Sequence, residues 1–311
     1  MCGRLACGLK PHEIRNCCSY KRSHDDGFVK PDWKNFHNSG KEYKPSYNIC
    51  PTEVAPVLMS GSHFDSDSRI IAPMIFGLIP TWAKAETTTK YSTINCRIEQ
   101  LKTSKLYGPL LQKGQRCIVI CNGFFEWKKE GKSSRPYFIH AEQEDNILID
   151  DPTTWNLEFD SPSESNGFKP LKLAALFEKQ IKEDGTETYS FTVLTKDSST
   201  KMSWMHHRMP AIINTEEQLN IWLDHKQFDG DQALHYLTHF EKVIWYPVAT
   251  RVNSATIKDI SCLNHIMKVD STNSRGNSNL LMTWLGKRQR NSETTEKEEP
   301  NTLKIKKEEP H

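Results

Sequence analysis

The sequence predicts a sheet-rich domain with few helices. Short apolar runs with β-branched or aromatic residues are bounded by polar residues, Gly or Pro, as strands usually are. No repeat typical of a solenoid or propeller accompanies them, and we expect them to belong to one domain over residues 1–270. The runs cover residues 55–59, 72–78, 117–121, 124–127, 137–139, 173–177 and 191–194.

Helices are predicted mainly after these strands. Asn214 is followed three residues later by Glu217, which is the pattern of a helical capping box, and residues 219, 222 and 223 then give one apolar face. A second helix is predicted over residues 231–240.

Two segments depart from the strand pattern. Residues 142–169 are acidic and lack strong periodicity, so they are interpreted as a surface insertion between two strands that carries no chemistry. From about Ser271 the composition changes to Ser, Asn, Thr, Glu and Lys, and residues 271–311 are predicted to form a disordered tail. Its apolar segment, 280–285, either docks on a partner or forms a last helical turn against the domain.

The overall charge excludes little. The chain has 311 residues with 41 Lys and Arg against 39 Asp and Glu, a net charge of +2, which argues against a strongly basic DNA-binding module. The longest apolar stretch, residues 70–80, is too short and too interrupted by Pro to cross a bilayer. Because no secretory signal is recognisable, we expect the protein inside the cell and without a membrane partner.

Cysteine use favours free thiols. The count of 9 is odd and no oxidising compartment is indicated, so a disulfide scaffold is not expected. No Cys-x-x-Cys pair occurs, and we predict neither a metal nor another cofactor.

Cys2 differs from the other cysteines by its position. Removal of Met1, which is usual before a small residue, would give Cys2 a free α-amine beside its thiol. About a quarter of such an amine is neutral at pH 7.4, and the thiol is already several per cent thiolate. The amine can form a Schiff base with an aldehyde, and the thiolate can close a thiazolidine ring on it. Position alone also fits an ordinary small second residue.

Three polar motifs could support such chemistry. Asn95, Arg97 and Glu99 alternate, so in an extended segment they would face one side, although this short motif by itself favours a surface pairing of Arg97 with Glu99. Glu126 lies in an aromatic run. Burial there would favour a neutral carboxyl able to act as a general acid or base, whereas on an edge strand, with residues 122–123 as a hairpin corner, it would face solvent.

The third motif joins His206 and His207 to Arg208. Histidine transfers protons near neutral pH and arginine forms bidentate contacts with phosphate, so His206 and Arg208 together could act on a phosphate-bearing substrate. Neighbouring strand residues point to opposite faces, which argues against a metal ion shared by the two histidines.

These motifs occur in an order that resembles the SOS-response-associated peptidase (SRAP) family, and its eukaryotic members in particular. The resemblance extends over most of residues 2–255. It rests on residues 2–4, 47–52, 77–82, 95–97, 116–127, 135–138, 191–195, 206–210 and 252–253.

The resemblance implies an α+β fold around a distorted, barrel-like antiparallel sheet, with flanking helices and a groove for single-stranded DNA. It implies that Cys2 crosslinks to the ring-opened sugar of an abasic site, with Asn95, Glu126 and His206 as catalytic partners. DNA contacts would come from Arg4, Asn48, Pro51, Phe76, Arg97 and Arg208.

The sequence departs from the family pattern at several positions without losing a catalytic residue. Phe76 stands where tryptophan is usual, which keeps an aromatic face for stacking under a base. Cys96 replaces a usual alanine. We expect these changes to affect DNA affinity or base preference rather than the reaction.

The leading hypothesis is a self-crosslinking sensor of abasic sites in single-stranded DNA, acting as a monomer in the nucleus. Replication-fork proteins could bind through its tail. Two alternatives stay open: a thiol peptidase that uses Cys2 with His206 and Glu126, and a non-enzymatic reader of modified cytosine in duplex DNA that uses Arg97 or Arg208.

Overall fold

Short strands dominate the computed structural model, which describes residues 3–22, 27–83, 93–157, 167–237 and 242–266. The helices are α1 (Pro11–Cys17), α2 (Ile98–Leu101), α3 (Gly108–Gln112), α4 (Glu216–Leu223) and α5 (Gly230–His235). The strands are β1 (Arg4–Cys7), β2 (Tyr20–Lys21), β3 (Phe28–Val29), β4 (Asp32–Trp33), β5 (Ser46–Ile49), β6 (Val54–Met59), β7 (Ile70–Phe76), β8 (Asn95–Arg97), β9 (Arg116–Cys121), β10 (Gly123–Glu130), β11 (Ser133–Ala141), β12 (Leu171–Ile181), β13 (Glu187–Asp197), β14 (Arg208–Pro210) and β15 (Val243–Pro247).

A closed barrel organises the larger sheet. Strands β7, β6, β9, β12 and β13 pair in that order, all antiparallel, and the parallel pairing of β13 with β7 closes the ring. Strands β6, β7 and β9 are buried along their whole length, which explains why their sequences are continuous apolar runs. The α+β prediction with a barrel-like core is therefore confirmed.

The second sheet has the order β15-β11-β10-β1-β5. The chain passes from the barrel to this sheet between β9 and β10, so the predicted hairpin corner at residues 122–123 is wrong. Asn122 is buried and its Oδ1 accepts a hydrogen bond from the Gly8 amide at 2.6 Å. A Cβ at Gly123 would lie 2.3 Å from the Ile139 carbonyl oxygen, so the crossing needs glycine.

The predicted helices are present with different boundaries. Thr215, rather than Asn214, caps α4 by accepting a hydrogen bond from the Gln218 amide. The predicted apolar face of α4 is buried, and Trp222 donates a hydrogen bond to the Cys117 carbonyl at 2.8 Å. Helix α5 ends at His235, and residues 238–241, which include the end of the second predicted helix, lie outside the described residues.

The interval 142–169 is not purely a surface insertion. Ile147 and Ile149 are buried, and the buried rings of Trp155 and Phe168 stack with centroids 4.4 Å apart. These apolar side chains fix both described ends of the interval to the core, which corrects the sequence interpretation. Residues 158–166 lie outside the described residues.

The described part of the chain has no helix that is long and apolar enough to span a bilayer. Within the same residues, no cluster of three or more His, Cys, Asp or Glu side chains could hold a metal ion. The cysteines described are free thiols, and burial raises the pKa of Cys7 to about 12 and that of Cys18 to about 11. Residues 267–311, including the segment 280–285, lie outside the described residues.

Candidate active site

Glu126 occupies the middle of the second sheet. Strand β10 lies between β1 and β11, and Glu126 is directly opposite Tyr137. Its side chain is buried, with the residue only 5% exposed, and its Oε1 accepts a hydrogen bond from the Trp127 amide at 3.3 Å. Of the two interpretations of this glutamate, the structure therefore supports the buried carboxyl group and excludes the solvent-facing edge residue.

His206 lies close enough to Glu126 for their charges to interact. Burial lowers the pKa of the His206 imidazole, and the Glu126 carboxylate partly opposes this by raising it. The Arg208 amide donates a hydrogen bond to Nδ1 at 3.0 Å, and the Arg208 carbonyl oxygen lies 3.3 Å from the same nitrogen, so the backbone of Arg208 holds the ring in place. Glu126 and His206 therefore interact electrostatically, and the pKa of the imidazole lies below its usual 6.5.

The His206 and His207 rings stack with centroids 4.4 Å apart, because β14 begins only at Arg208 and both histidines precede the strand. The expectation that they point to opposite faces is therefore wrong.

Asn95 and Arg97 lie on β8, which runs parallel to β13 with Asn95 opposite Val193. Arg97 is exposed. Helix α2 begins at Ile98, so Glu99 leaves the strand and does not share its alternation. The direct partner of the Glu99 carboxylate is Arg208 rather than Arg97, whose charge contributes only a smaller part to the lowered pKa of Glu99.

Arg208 is buried and its guanidinium is held by protein groups. Nη1 and Nη2 donate to the two oxygens of Glu99 at 2.9 and 2.6 Å, Nη1 also donates to Asp197, and Nη2 to the Thr195 carbonyl. Through these hydrogen bonds the Arg208 side chain connects β14 to Thr195 and Asp197 of β13 and to Glu99 of α2. The expectation that Arg208 binds phosphate is not supported by this arrangement.

Arg4 on β1 and Asn48 on β5 belong to one hydrogen-bond network, which also includes backbone carbonyls of the 250–257 segment. Asn48 is fully buried, and its Nδ2 donates to the carbonyls of Val252, Ser254 and Ile257. Arg4 Nη1 donates to Asn48 Oδ1 and to the Val252 carbonyl, both at 2.8 Å. Asn48 therefore orders the 250–257 segment and cannot contact DNA in this conformation, which corrects its predicted role.

Phe76 is also a core residue. It is fully buried and its ring stacks on Phe191 with centroids 5.3 Å apart, so it cannot stack under a base as predicted. Pro51 lies in the half-buried turn between β5 and β6. Thr52 beside it has φ 74°, a conformation that is costly for a β-branched residue and that often marks a functional loop.

Cys2 lies outside the described residues. Strand β1 runs antiparallel to β10 with Arg4 opposite Phe125, so the same register continued by one residue brings Gly3 opposite Glu126. The described chain thus begins beside the buried carboxylate.

Other residues at the site were missed by the sequence reasoning. Asp197 accepts a hydrogen bond from Arg208, Tyr137 lies opposite Glu126, and the ring of Trp204 contacts that of Tyr137. Trp204 is two residues before His206, and this closeness in sequence could have indicated that Trp204 lies near the site. The others come from distant strands.

Fold and site together define a barrel protein with a buried glutamate and a half-buried, electrostatically linked histidine next to its first strand. The family described as SOS response associated peptidase (SRAP) matches residues 1–255, and the chain belongs to this family.

Named relatives agree with this assignment, and a solved structure shows a similar fold. The chain is 35% identical over 297 residues to abasic site processing protein HMCES of Xenopus tropicalis, covering 92% of this chain and 85% of the relative. It is 30% identical over 217 residues to abasic site processing protein YoqW of Bacillus subtilis, covering 68% of this chain and 83% of that protein. A crystal structure of a Bacteroides thetaiotaomicron protein has a similar fold, with a TM-score of 0.61 at 20% identity, over 85% of this chain and 99% of that one.

Proposed function

We propose that this protein captures abasic sites in single-stranded DNA by forming a covalent link through Cys2 and so protects the damaged strand. The observation that carries the proposal is the buried Glu126, whose charge interacts with His206, at the point where the described chain enters β1. The names of the relatives at 30–35% identity support abasic-site processing.

The chemistry requires two bonds to one carbon. The α-amine of Cys2 attacks the aldehyde of the ring-opened sugar, and the carbonyl oxygen leaves as water when the imine forms. The Cys2 thiolate then adds to the imine carbon, and a proton returns to the nitrogen to give a thiazolidine. The net reaction of aldehyde with amine and thiol releases one water.

Proton transfer is the part that the described residues can supply. The leaving oxygen needs a proton and the attacking amine must lose one, and a carboxyl group near an imidazole can exchange protons in both directions. Because Cys2 is bonded to Gly3, its Cα lies about 3.8 Å from that of Gly3, and the register of β1 and β10, continued by one residue, brings Gly3 opposite Glu126. Asn95 and the exposed Arg97 are proposed to hold the sugar and a flanking phosphate.

The test is adduct formation with an abasic oligonucleotide on a denaturing gel, with the undamaged oligonucleotide as control. Wild-type protein should give an adduct that survives denaturation without added reductant. Cys2→Ser keeps the amine but not the thiol, so its adduct should appear only after borohydride trapping. An untrapped adduct with Cys2→Ala, or with protein that retains Met1, would contradict the proposal.

The same preparations separate the alternative functions. Cleavage fragments that accumulate without DNA would favour a thiol peptidase. Stronger binding to intact duplex with modified cytosine than to abasic single strand would favour a reader of modified bases. Nuclear location, action as a monomer and recruitment to replication forks by the tail form part of the proposal, and fractionation with and without replication stress tests them.

A further inference from the structure

An aromatic and cationic patch lies beside Glu126 on the same side of the second sheet. We call it the Trp204 platform and define it as Trp204, Tyr137, Trp245 and Lys128. The Trp204 ring is 5.2 Å from that of Tyr137 in an edge arrangement and 6.0 Å from that of Trp245. The Lys128 ammonium lies 4.7 Å from the Trp204 ring centroid.

Strand register explains why these side chains share a face with the catalytic carboxylate. Glu126 is opposite Tyr137 on β11, and Ile139, two residues further along β11, is opposite Trp245 on β15. Residues two apart on a strand, and residues directly opposite on its neighbour, point to the same side of a sheet. Lys128, two residues after Glu126, therefore belongs to this face as well.

Trp204 reaches the platform from a different part of the chain. It lies in the turn that precedes His206, so one short segment supplies both the imidazole of the site and the exposed indole. Trp204 is 40% exposed, whereas the hydrophobic residues on either side of the same segment, Met202 and Met205, are buried. The large ring thus leaves much of its surface in water directly beside the site.

We propose that the Trp204 platform stacks the unpaired nucleobase adjacent to the abasic nucleotide, and that Lys128 binds a phosphate of the same strand. The proposal rests on the proposed function. A base next to an abasic site has lost a stacking neighbour, and an aromatic face can replace it whatever the sequence. Tyr137 lies directly opposite Glu126 and its ring contacts that of Trp204, so a base stacked on Trp204 would lie next to the nucleotide that reacts.

Charge favours DNA over a protein segment as the occupant. Lys128 on β10 lies directly opposite Arg135 on β11, so two positive charges are close together on this side of the sheet. Glu130 forms an ion pair of 3.3 Å with Arg135, which leaves the charge of Lys128 without a carboxylate in that pair. A cation over an indole attracts an anionic strand whose bases stack, whereas an apolar peptide would bury the ammonium without a partner.

The experiment uses abasic single-stranded oligonucleotides with fluorescent 2-aminopurine immediately 5′ or 3′ of the lesion. Stacking on an aromatic side chain quenches 2-aminopurine, so wild-type full-length protein should quench the probe on one side of the lesion. Trp204→Ala should lose most of this quenching and weaken non-covalent binding about tenfold. Trp204→Phe should retain most of both, and Lys128→Ala should lower the salt dependence of binding.

Ile244→Ala is the matched control, because Ile244 is 42% exposed, adjoins Trp245 and points to the opposite face of β15. Thermal unfolding checks that each variant is folded. If wild-type protein crosslinks abasic DNA but folded Trp204→Ala quenches and binds like wild type, the platform is wrong and the proposed function stands. If wild-type protein neither binds nor crosslinks abasic DNA, both are wrong. Equal loss in Trp204→Ala and Ile244→Ala would also overturn the platform.

Discussion

The Arg208 guanidinium grips the Glu99 carboxylate through two parallel hydrogen bonds, of 2.9 and 2.6 Å, and so joins β14 to the first turn of α2. Arg208 is buried, whereas the side chain of Glu99 is 49% exposed. The pair connects the motif that contains His206 to the motif that contains Asn95, which are distant in sequence.

Glu99→Gln should destabilise the fold by about 1 kcal/mol, because a charged, bidentate acceptor is lost from a partly screened site. Hydrogen bonding to Arg208 lowers the pKa of Glu99 below its usual 4.5. A lowered folded-state pKa gives stability that is complete above the unfolded value and is lost as the pH falls through the folded one. Urea unfolding should therefore show the full difference in free energy of unfolding between wild type and Glu99→Gln at pH 7, and a smaller difference as the pH falls below about 4.5. Asp197→Asn is the control, since the Asp197 side chain is 82% exposed, and should cost less.

Arg97→Ala should weaken binding to single-stranded DNA of any sequence and reduce the slope of log affinity against log salt by about 1, as expected for one lost phosphate contact. Its melting temperature should not change, since the residue is exposed. Arg208→Ala should instead lower the melting temperature. A salt slope that falls only in Arg208→Ala would reverse this assignment of the two arginines.

Asn48→Ala should lower stability by about 2 kcal/mol, because the carbonyls of Ser254 and Ile257 lose the Asn48 donor and Arg4 loses its Asn48 acceptor. The crosslinking rate per folded molecule should stay within about twofold of wild type if Asn48 only orders the 250–257 segment. Chemical unfolding and adduct kinetics on the same preparation test this. A large rate loss with unchanged stability would restore Asn48 as a DNA contact.

The His206 imidazole should titrate below 6.5 in the free protein, because burial disfavours its charged form. Glu126→Gln should lower this pKa further, since the carboxylate that favours the imidazolium is removed. Two-dimensional NMR of the histidine ring protons measures both values. An unchanged His206 titration in Glu126→Gln would show that the two groups do not interact.

Glu126→Gln should also slow adduct formation about a hundredfold while leaving non-covalent binding to abasic DNA almost unchanged, as for loss of a general acid or base. Glu130→Gln, further along the same strand and outside the buried segment, is the control. Single-turnover adduct kinetics and equilibrium binding separate the two effects. Equal losses in rate and affinity would indicate a structural glutamate.

Local pattern was sufficient where burial is continuous along the chain. Residues 55–59 and 117–121 are predicted as strands and form β6 and β9, because both faces of these barrel strands are covered. Pattern failed at residues 122–123, where Asn and Gly are typical of a hairpin. Here they carry the chain from one sheet to another, and the reason is the close approach of the Ile139 carbonyl, which the local sequence cannot reveal.

Local sequence and long-range contacts also contribute differently to the site. The sequence by itself determined which reactive groups the chain offers: a cysteine at position 2, a glutamate in an aromatic run and a histidine before a strand. Only the tertiary structure decided which of the predicted contact residues remain available to a ligand. Asn48, Phe76 and Arg208 are satisfied by carbonyls, a ring and carboxylates from distant segments, whereas Arg97 is exposed. Residue type fixes what a side chain can do, but its burial and its partners depend on contacts between segments that are far apart in sequence.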